Sequence, residues 1–226
     1  MLGHSLPCVN NCKILIDSTV ILSMTTKYLA SISIITFLLL IPLSSEAATR
    51  QRVPAGFKEL DSDRGVTLWQ KRGEYVQHVS LKDGARVDLL RGNIVSTRRS
   101  PHKQFTRQYI DDWWSDWSRT ERRAFSLVNG QFFDTRNATM APLAFSTKIN
   151  GAVYKGYGDR NEFKNQKRML RLGTDTARID HYRDNGRALP RLPEKNIIVG
   201  LNPTVNKAAR FRRRRTFVGT KADGSV

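Results

Sequence analysis

The sequence predicts an α+β protein with a β-rich mixed sheet, built from hairpins and accompanied by a few flanking helices. Three turn sequences support this prediction, because each separates two apolar or alternating runs. They are Lys82-Asp83-Gly84, Asn150-Gly151 and Gly173-Thr174-Asp175. Asp-Gly and Asn-Gly pairs are typical of the tightest hairpin turns.

Strands are predicted on both sides of these turns and at four further runs. In chain order they cover residues 66–69, 75–81, 85–90, 124–128, 143–149, 152–154, 169–172, 177–182, 197–199 and 216–218. The last two runs are short and mostly apolar, which is typical of buried strands. A turn at Asp223-Gly224 follows the last of them.

One amphipathic helix is predicted over residues 108–125. Its apolar positions recur at helical spacing and are Ile110, Trp113, Trp114 and Trp117. Aspartates occupy positions between them, so one face is apolar and the other acidic. The spacing favours packing of the tryptophans in the core, and stacking on sugar rings is the alternative.

The N-terminal region predicts export. Residues 24–47 contain a lysine, then an apolar run, then Ser45 and Ala47 at the spacing of a cleavage site, which is the pattern of a signal peptide. Residues 1–23 fit neither a signal nor a domain and are interpreted as a misassigned N-terminal extension. Residues 48–64 are interpreted as a linker and residues 65–226 as the domain. We therefore expect a secreted or periplasmic protein without a permanent membrane span.

The charge predicts an anionic partner. The chain carries 38 Lys and Arg against 20 Asp and Glu, a net charge of +18. Removing residues 1–47 leaves this charge unchanged. Anionic cell-envelope polymers and phosphate-bearing substrates both fit such a charge. Because export separates the protein from nucleic acid, we do not expect nucleic acid as a partner.

The residue pattern does not indicate a metal or cofactor site. Cys8 and Cys12 both precede the predicted cleavage, and the four histidines are scattered without metal-ligand spacing. No phosphate-binding glycine loop or nucleophile elbow is present. We therefore expect neither a metal nor a cofactor.

Two segments have the composition of a binding site. Asn129-Gly130-Gln131-Phe132-Phe133 follows an apolar strand, where an Asn side chain and a flexible Gly lie at the strand end. A simple turn with an Asn hydrogen bond is the alternative. Residues 210–219 contain five arginines before Thr216, and an arginine fork matches phosphate geometry. Most of these arginines are expected in a solvated loop.

An ordered set of motifs resembles the phosphodiester glycosidase family, which includes the lysosomal mannose-6-phosphate uncovering enzyme. The motifs are GVTLWQK, NGQFF, APLAFSTKINGAVYKGYGDRN, IIVGLNPTVNKA and RTFVGTKADG. They span residues 65–224. The order and spacing are similar to those of secreted bacterial members.

The resemblance implies hydrolysis of a sugar-1-phosphodiester, which releases the sugar from the phosphate of its partner. It implies a substrate cleft lined by Asn129 and Gly130, and phosphate binding by Arg215 and Thr216. Asp159 and Asn161 are further candidates for polar contacts with substrate. Phe132 and Phe133 are expected to pack beneath the site. The catalytic acid and base stay unassigned.

The sequence departs from the family pattern at its C-terminal end. Family members continue into another strand and an Asp-Gly-Gly-Gly-Ser loop, and this sequence contains no such segment. The resemblance therefore implies an incomplete domain with impaired hydrolysis. The alternative function is a secreted, non-catalytic binder of anionic polysaccharide or another polyanion.

Overall fold

The computed structural model describes residues 53–95, 102–120, 123–134, 136–205 and 216–226, together with the backbone of residues 13–17. In this part the chain forms fourteen strands, one α-helix and two short 3-10 turns. The strands are β1 (Lys13–Asp17), β2 (Lys58–Asp63), β3 (Val66–Lys71), β4 (Glu74–Val79), β5 (Arg86–Leu90), β6 (Ile94–Val95), β7 (Gln104–Thr106), β8 (Ala124–Asn129), β9 (Met140–Pro142), β10 (Thr147–Ile149), β11 (Ala152–Tyr154), β12 (Lys167–Leu172), β13 (Ala177–His181) and β14 (Asn196–Leu201). The helix, α1, spans Ile110–Thr120.

The strands form four sheets, in which every pairing between the described strands is antiparallel. The largest sheet has the order β11-β10-β14-β12-β13, and the three-stranded sheets are β5-β1-β8, β2-β3-β4 and β6-β7-β9. The β-rich, hairpin-built character predicted from the sequence is confirmed. The helical part is small, because α1 is the one α-helix among the described residues.

Two of the three predicted hairpins are confirmed. Strands β10 and β11 pair across Asn150-Gly151, whose φ angles of 49° and 85° are the left-handed values that this turn requires. Strands β12 and β13 pair from Arg168 opposite His181 to Leu172 opposite Ala177. In both cases the turn residues and the flanking apolar runs lie within one short stretch of chain.

The predicted hairpin at residues 82–84 is wrong. The turn forms, since Gly84 donates to Leu81 O at 3.1 Å, but β4 pairs with β3 and β5 pairs with β1. The backbone N–H of Ser80 donates to Gly65 O at 2.7 Å, which ties the end of β4 to the start of β3. The turn is therefore a corner between two sheets.

The segment predicted as a linker contains a strand. Within residues 48–64, β2 forms the edge of a three-stranded sheet beside β3. All its side chains are exposed, so the strand contributes backbone hydrogen bonds and no core side chain. The first hairpin of the described fold therefore begins upstream of residue 65.

The helix is shorter than predicted and only partly buried. It ends at Thr120 instead of residue 125, because residues from Ala124 onward pair as β8. Trp117 is buried, whereas Trp114 is 37% exposed. Their rings lie 6.0 Å apart. The core-packing interpretation therefore holds for Trp117 and fails for Trp114.

The predicted buried strand at residues 216–218 is absent. Phe217 is 69% exposed and Val218 is 37% exposed, and residues 216–220 adopt no strand. The turn at Asp223-Gly224 does form, with Gly224 at a φ of 80°. It brings Val226 against Val79, where two backbone hydrogen bonds of 2.6 and 2.8 Å join them.

Two apolar clusters form the core. The larger cluster includes Val66, Val87, Leu89 and Tyr154, and the side chains of Val128 and Val226 pack against it. The smaller cluster contains Phe145, Leu189 and Ile197 and lies on the largest sheet. Strand β14 is central to both, because its side chains alternate between the two faces of the sheet. The candidate site lies beside the smaller cluster.

Candidate functional site

The segment after β8 is held in place by a buried glutamine. Asn129 ends the strand, and Gln131 is 3% exposed. Gln131 Nε2 donates to Thr147 Oγ1 at 2.5 Å and to Phe145 O at 3.3 Å, while its Oε1 accepts from the N–H of Phe132. Because both ends of the amide are used, the chain direction after Asn129 is fixed.

The two phenylalanines that follow lie in the packing beneath this segment, as the sequence predicts. Phe133 is 8% exposed and forms a β-bridge with Leu143. Phe132 lies edge-to-face with Phe145, with ring centroids 6.0 Å apart. The N–H of Ala144 donates to Phe132 O at 2.8 Å. Residues 131–134 therefore run alongside residues 142–145.

A second segment, residues 155–163, lies against the same stretch of chain. Tyr157 N donates to Leu143 O at 3.1 Å and Gly158 N donates to Ala144 O at 2.7 Å. At Gly156 a Cβ atom would lie only 2.3 Å from backbone atoms of Phe145. A residue larger than glycine would push this segment away from residues 143–145.

A buried carboxylate anchors the second segment. Asp159 is 6% exposed, and its carboxylate accepts four hydrogen bonds. The donors are Ser146 N at 2.8 Å, Ser146 Oγ, Gly156 N at 3.2 Å and Tyr182 OH at 2.7 Å. Burial raises the pKa of Tyr182 well above its usual value, and its hydrogen bond to Asp159 adds to this effect. Tyr182 is therefore a neutral donor to a charged carboxylate.

A buried lysine supports the same segment from the other side. Lys167 is 4% exposed, and its Nζ donates to the carbonyl oxygens of Gly158, Asp159 and Glu162 at 3.1, 2.8 and 2.6 Å. Burial lowers the pKa of Lys167, while the nearby carboxylates of Asp159 and Glu162 oppose that shift. All three donors of the ammonium group bind backbone, so this lysine fixes the shape of the segment.

The two segments border a cleft of about 310 Å³. The cleft lies beside β7, β9 and the loop that follows the Phe133 bridge. Its lining residues are His102, Gln104, Asp134, Arg136, Asn137, Met140, Pro142 and Tyr157. It therefore combines a carboxylate, a guanidinium, an imidazole and a phenol.

The carboxylate in the cleft is paired with an exposed arginine. Arg136 Nε donates to both oxygens of Asp134 at 3.0 and 2.8 Å, and Arg136 Nη2 also donates to Asp134 Oδ2. The Arg136 side chain is 89% exposed and that of Asp134 is 16% exposed. The hydrogen bonds from Arg136 hold the pKa of Asp134 below its usual value. Asp134 is therefore ionised at neutral pH.

The phenol in the cleft keeps its proton. Tyr157 is 38% exposed, and burial raises the pKa of Tyr157 above its usual value. The negative charges of Glu162 and Asp134 act in the same direction. Tyr157 therefore offers a neutral O–H donor next to an ionised carboxylate.

The sequence-predicted site residues fall into four groups. Asn129 and Gly130 lie at the strand end as predicted, and Asn129 Oδ1 is buried without a hydrogen-bond partner. Asp159 is buried and its oxygens are occupied by donors from the protein itself. Asn161 and Thr216 are exposed. Arg215 lies outside the described residues.

The structure links Asn129 and Asp159 only indirectly. Gln131 follows Asn129 by two residues and binds Phe145 O, while the next residue, Ser146, binds Asp159. The contact with substrate implied for Asp159 conflicts with its four internal hydrogen bonds, because no oxygen is left for an outside donor. Asp159 positions the segment that carries Tyr157.

Sequence reasoning missed the residues that line the cleft. Asp134 directly follows the Asn129–Phe133 motif, and Tyr157 lies two residues before Asp159. Both were adjacent to residues singled out as candidates, so chain proximity was the available signal. His102 carried no such signal, because it precedes β7, and β7 lies beside the rest of the cleft through its pairing with β9.

Within the described ranges, no group of three or more His, Cys, Asp or Glu side chains is arranged to hold a metal ion. The same residues contain no helix with the length and hydropathy needed to cross a bilayer.

Comparison with known proteins leaves the family resemblance as an expectation. No protein-family model, curated protein or solved structure matches this chain significantly.

Proposed function

We propose that the chain is a phosphodiester glycosidase that hydrolyses a sugar-1-phosphodiester in an exported glycan or glycoconjugate. The proposal includes the α+β class of that family and a secreted or periplasmic location. One observation carries it. The cleft joins Asp134 and Tyr157, which come from the two motif-bearing segments, and adds the guanidinium of Arg136 and the imidazole of His102.

The chemistry of the substrate suits this combination. Water attacks the anomeric carbon, the bond from that carbon to the phosphate oxygen breaks, and the phosphate leaves as a monoester. A phosphate is a stable leaving group, so neutralising its charge matters more than protonating it. A guanidinium binds phosphate through parallel N–H donors. By resemblance, we assign this role to Arg215 and Thr216, whereas Arg136 is assigned to hold the carboxylate of Asp134.

The ionised carboxylate has the protonation state of a base or nucleophile. Glycosidases use a carboxylate at the face of the sugar opposite the leaving group, either to activate water or to attack the anomeric carbon. We assign this role to Asp134. Tyr157 is assigned as a neutral donor to the sugar or the phosphate, because its phenol is protonated at neutral pH. Asn129 and Gly130 remain candidates for lining the substrate-binding surface.

The test is release of free sugar from a sugar-1-phosphodiester by the purified full chain. An Asp134→Asn variant should lose at least about a hundredfold in turnover, the usual scale for a catalytic acid or base. Asp88→Asn is the matched control, since Asp88 also pairs with an arginine two residues away, at 2.6 Å, but lies on β5. Equal activity of native and Asp134→Asn chains would exclude this role for Asp134.

The net charge favours one other function, binding of an anionic polymer without catalysis. Such binding should weaken steeply as salt rises, because exposed charges are screened. Salt-sensitive binding to an anionic polysaccharide without release of free sugar would favour this function. Turnover that disappears in Arg215→Ala would favour the enzyme.

A further inference from the structure

Strand β1 occupies an internal position in its sheet. It pairs antiparallel with β5 on one side, from Lys13 opposite Leu90 to Asp17 opposite Arg86. It pairs antiparallel with β8 on the other side, where Lys13 lies opposite Asn129. Both edges of β1 are therefore hydrogen-bonded to strands that come much later in the chain.

This arrangement fixes the relative direction of the two outer strands. Because β5 and β8 each run antiparallel to β1, they run parallel to one another. Two strand spacings separate them, about 9.6 Å, so they do not hydrogen-bond directly. To pair directly, β5 and β8 would have to move together and form one parallel ladder in place of their two antiparallel ladders with β1. The gap between β5 and β8 therefore has the width and polarity of one strand.

Side chains on both strands that flank this gap lie in the protein core or pack against it. Residues at the second and fourth positions of β1 are register partners of Leu89 and Val87 on β5. Leu89 is 3% exposed and Val87 is 7% exposed. On the other side Val128 packs against the same core cluster. The gap therefore suits an extended peptide with apolar residues at two alternate positions.

The occupant is connected to the rest of the fold by a long stretch of chain. Residues 18–57 lie between β1 and β2, whereas residues 173–176 alone connect β12 to β13. A connection of this length costs more loop-closure entropy than a four-residue turn, so it holds β1 in place less strongly than a short turn would. Processing at the predicted signal sequence would also remove β1 from the chain.

We propose that the gap between β5 and β8 is a strand-binding site, and that Lys13–Asp17 is its replaceable occupant. The site takes an extended peptide that runs antiparallel to both outer strands and carries apolar residues opposite Val87 and Leu89. When the chain's own segment is disabled or removed, the site binds a peptide of the same sequence from another molecule. Recognition is by backbone ladders on both edges, as in strand addition to a sheet.

The test uses a Leu15→Pro variant of the full chain. Proline lacks an N–H and is not tolerated in a central strand, so it should displace β1. Hydrogen exchange of the β5 and β8 amides should accelerate at least about tenfold, as expected for a locally opened element, while β12 and β14 stay protected. A synthetic peptide of residues 11–19, with Cys12→Ser, should restore protection in β5 and β8.

Two controls isolate the effect. Thr19→Pro places the same residue beyond the end of β1 and should leave β5 and β8 protected. The synthetic peptide carrying Leu15→Pro should restore nothing. Unchanged protection of β5 and β8 in the Leu15→Pro chain would overturn the proposal, as would protection that stays low with saturating native peptide.

The experiment still tests the proposal if the Leu15→Pro chain unfolds entirely. If β12 and β14 also lose protection, the chain is refolded from denaturant with the native peptide present. Recovery of protection in both sheets supports the strand-binding site. Failure of the peptide to recover either sheet contradicts it.

Discussion

The hydroxyl of Tyr182 donates a hydrogen bond to Asp159 Oδ1 at 2.7 Å. This contact joins the end of β13 to the segment that carries Tyr157. The same carboxylate binds Ser146, which begins the approach to β10. One buried charge therefore connects three parts of the chain beside the cleft.

The first prediction concerns this carboxylate. Asp159→Asn replaces an oxygen that accepts hydrogen bonds with an NH₂ group that faces donors. We expect the free energy of unfolding to fall by about 1.5–3 kcal/mol, the range for hydrogen bonds to a charged group. Urea denaturation measures it. The exposed-pair variant Asp88→Asn should change stability by less than about 1 kcal/mol, and an equally small effect of Asp159→Asn would contradict the buried network.

The second prediction concerns alkaline pH. The folded pKa of Tyr182 lies far above its ordinary value of 10.0, so above pH 10 the unfolded chain loses a proton that the folded chain keeps. Stability from this group is complete below pH 10 and declines as pH rises further. Tyr182→Phe should cost about 1.5–3 kcal/mol at pH 7, as expected for a hydrogen bond to a charged group.

Denaturation curves recorded between neutral and alkaline pH test this prediction. The Tyr182→Phe chain should lose stability less steeply above pH 10 than the native chain. Tyr75→Phe is the control, since Tyr75 is 61% exposed and its hydroxyl accepts from Gln70 at the surface. Parallel alkaline curves for native and Tyr182→Phe chains would disagree with a protonated, buried Tyr182.

The third prediction concerns the close approach at Gly156. An alanine Cβ there would lie 2.3 Å from backbone carbon atoms of Phe145, and backbone atoms have no room to move aside. Gly156→Ala should destabilise the fold by about 2–3 kcal/mol, as expected for forced overpacking. Gly200→Ala on β14 meets no atom within 4 Å and should be close to neutral. Thermal denaturation of the two variants gives the comparison, and a reversed order would exclude this packing.

The fourth prediction concerns the pH dependence of turnover. The pKa of Asp134 is lowered because Arg136 donates hydrogen bonds to it, so the rate should fall only when pH drops below the ordinary value of 3.8. Arg136→Gln removes these charged donors and should move this acid limb to higher pH. The profile of kcat against pH at saturating substrate separates this effect from weaker binding. An acid limb at the same pH in both chains would mean that Asp134 does not control it.

Local sequence signals predicted the fold where both strands and their turn lie within a few residues. Asn150-Gly151 combines a left-handed turn with two flanking apolar runs, and the structure confirms it. Asp83-Gly84 carries an equal turn signal, yet Ser80 binds Gly65 and directs the following strand into another sheet. The choice of pairing partner depends on contacts distant in sequence, which a local pattern does not contain.

The residues of the site, like the strands, were predictable only in part from the local sequence. Asn129 and Asp159 were identified as special, and both lie in segments that border the cleft. Their roles depend on distant groups, because Asp159 is occupied by Ser146 and Tyr182. The prediction failed at Thr216. The apolar residues beside it predicted burial, whereas the structure places Phe217 at the surface.

The most direct test of the proposed function follows the oxygen of water during hydrolysis. The full chain is incubated with a sugar-1-phosphodiester in water enriched in heavy oxygen, and both products are analysed by mass spectrometry. Cleavage of the bond between the anomeric carbon and oxygen predicts the label in the released sugar, and loss of turnover in Asp134→Asn but not in Asp88→Asn. Label in the phosphate product, or no hydrolysis by the native chain, would contradict the account.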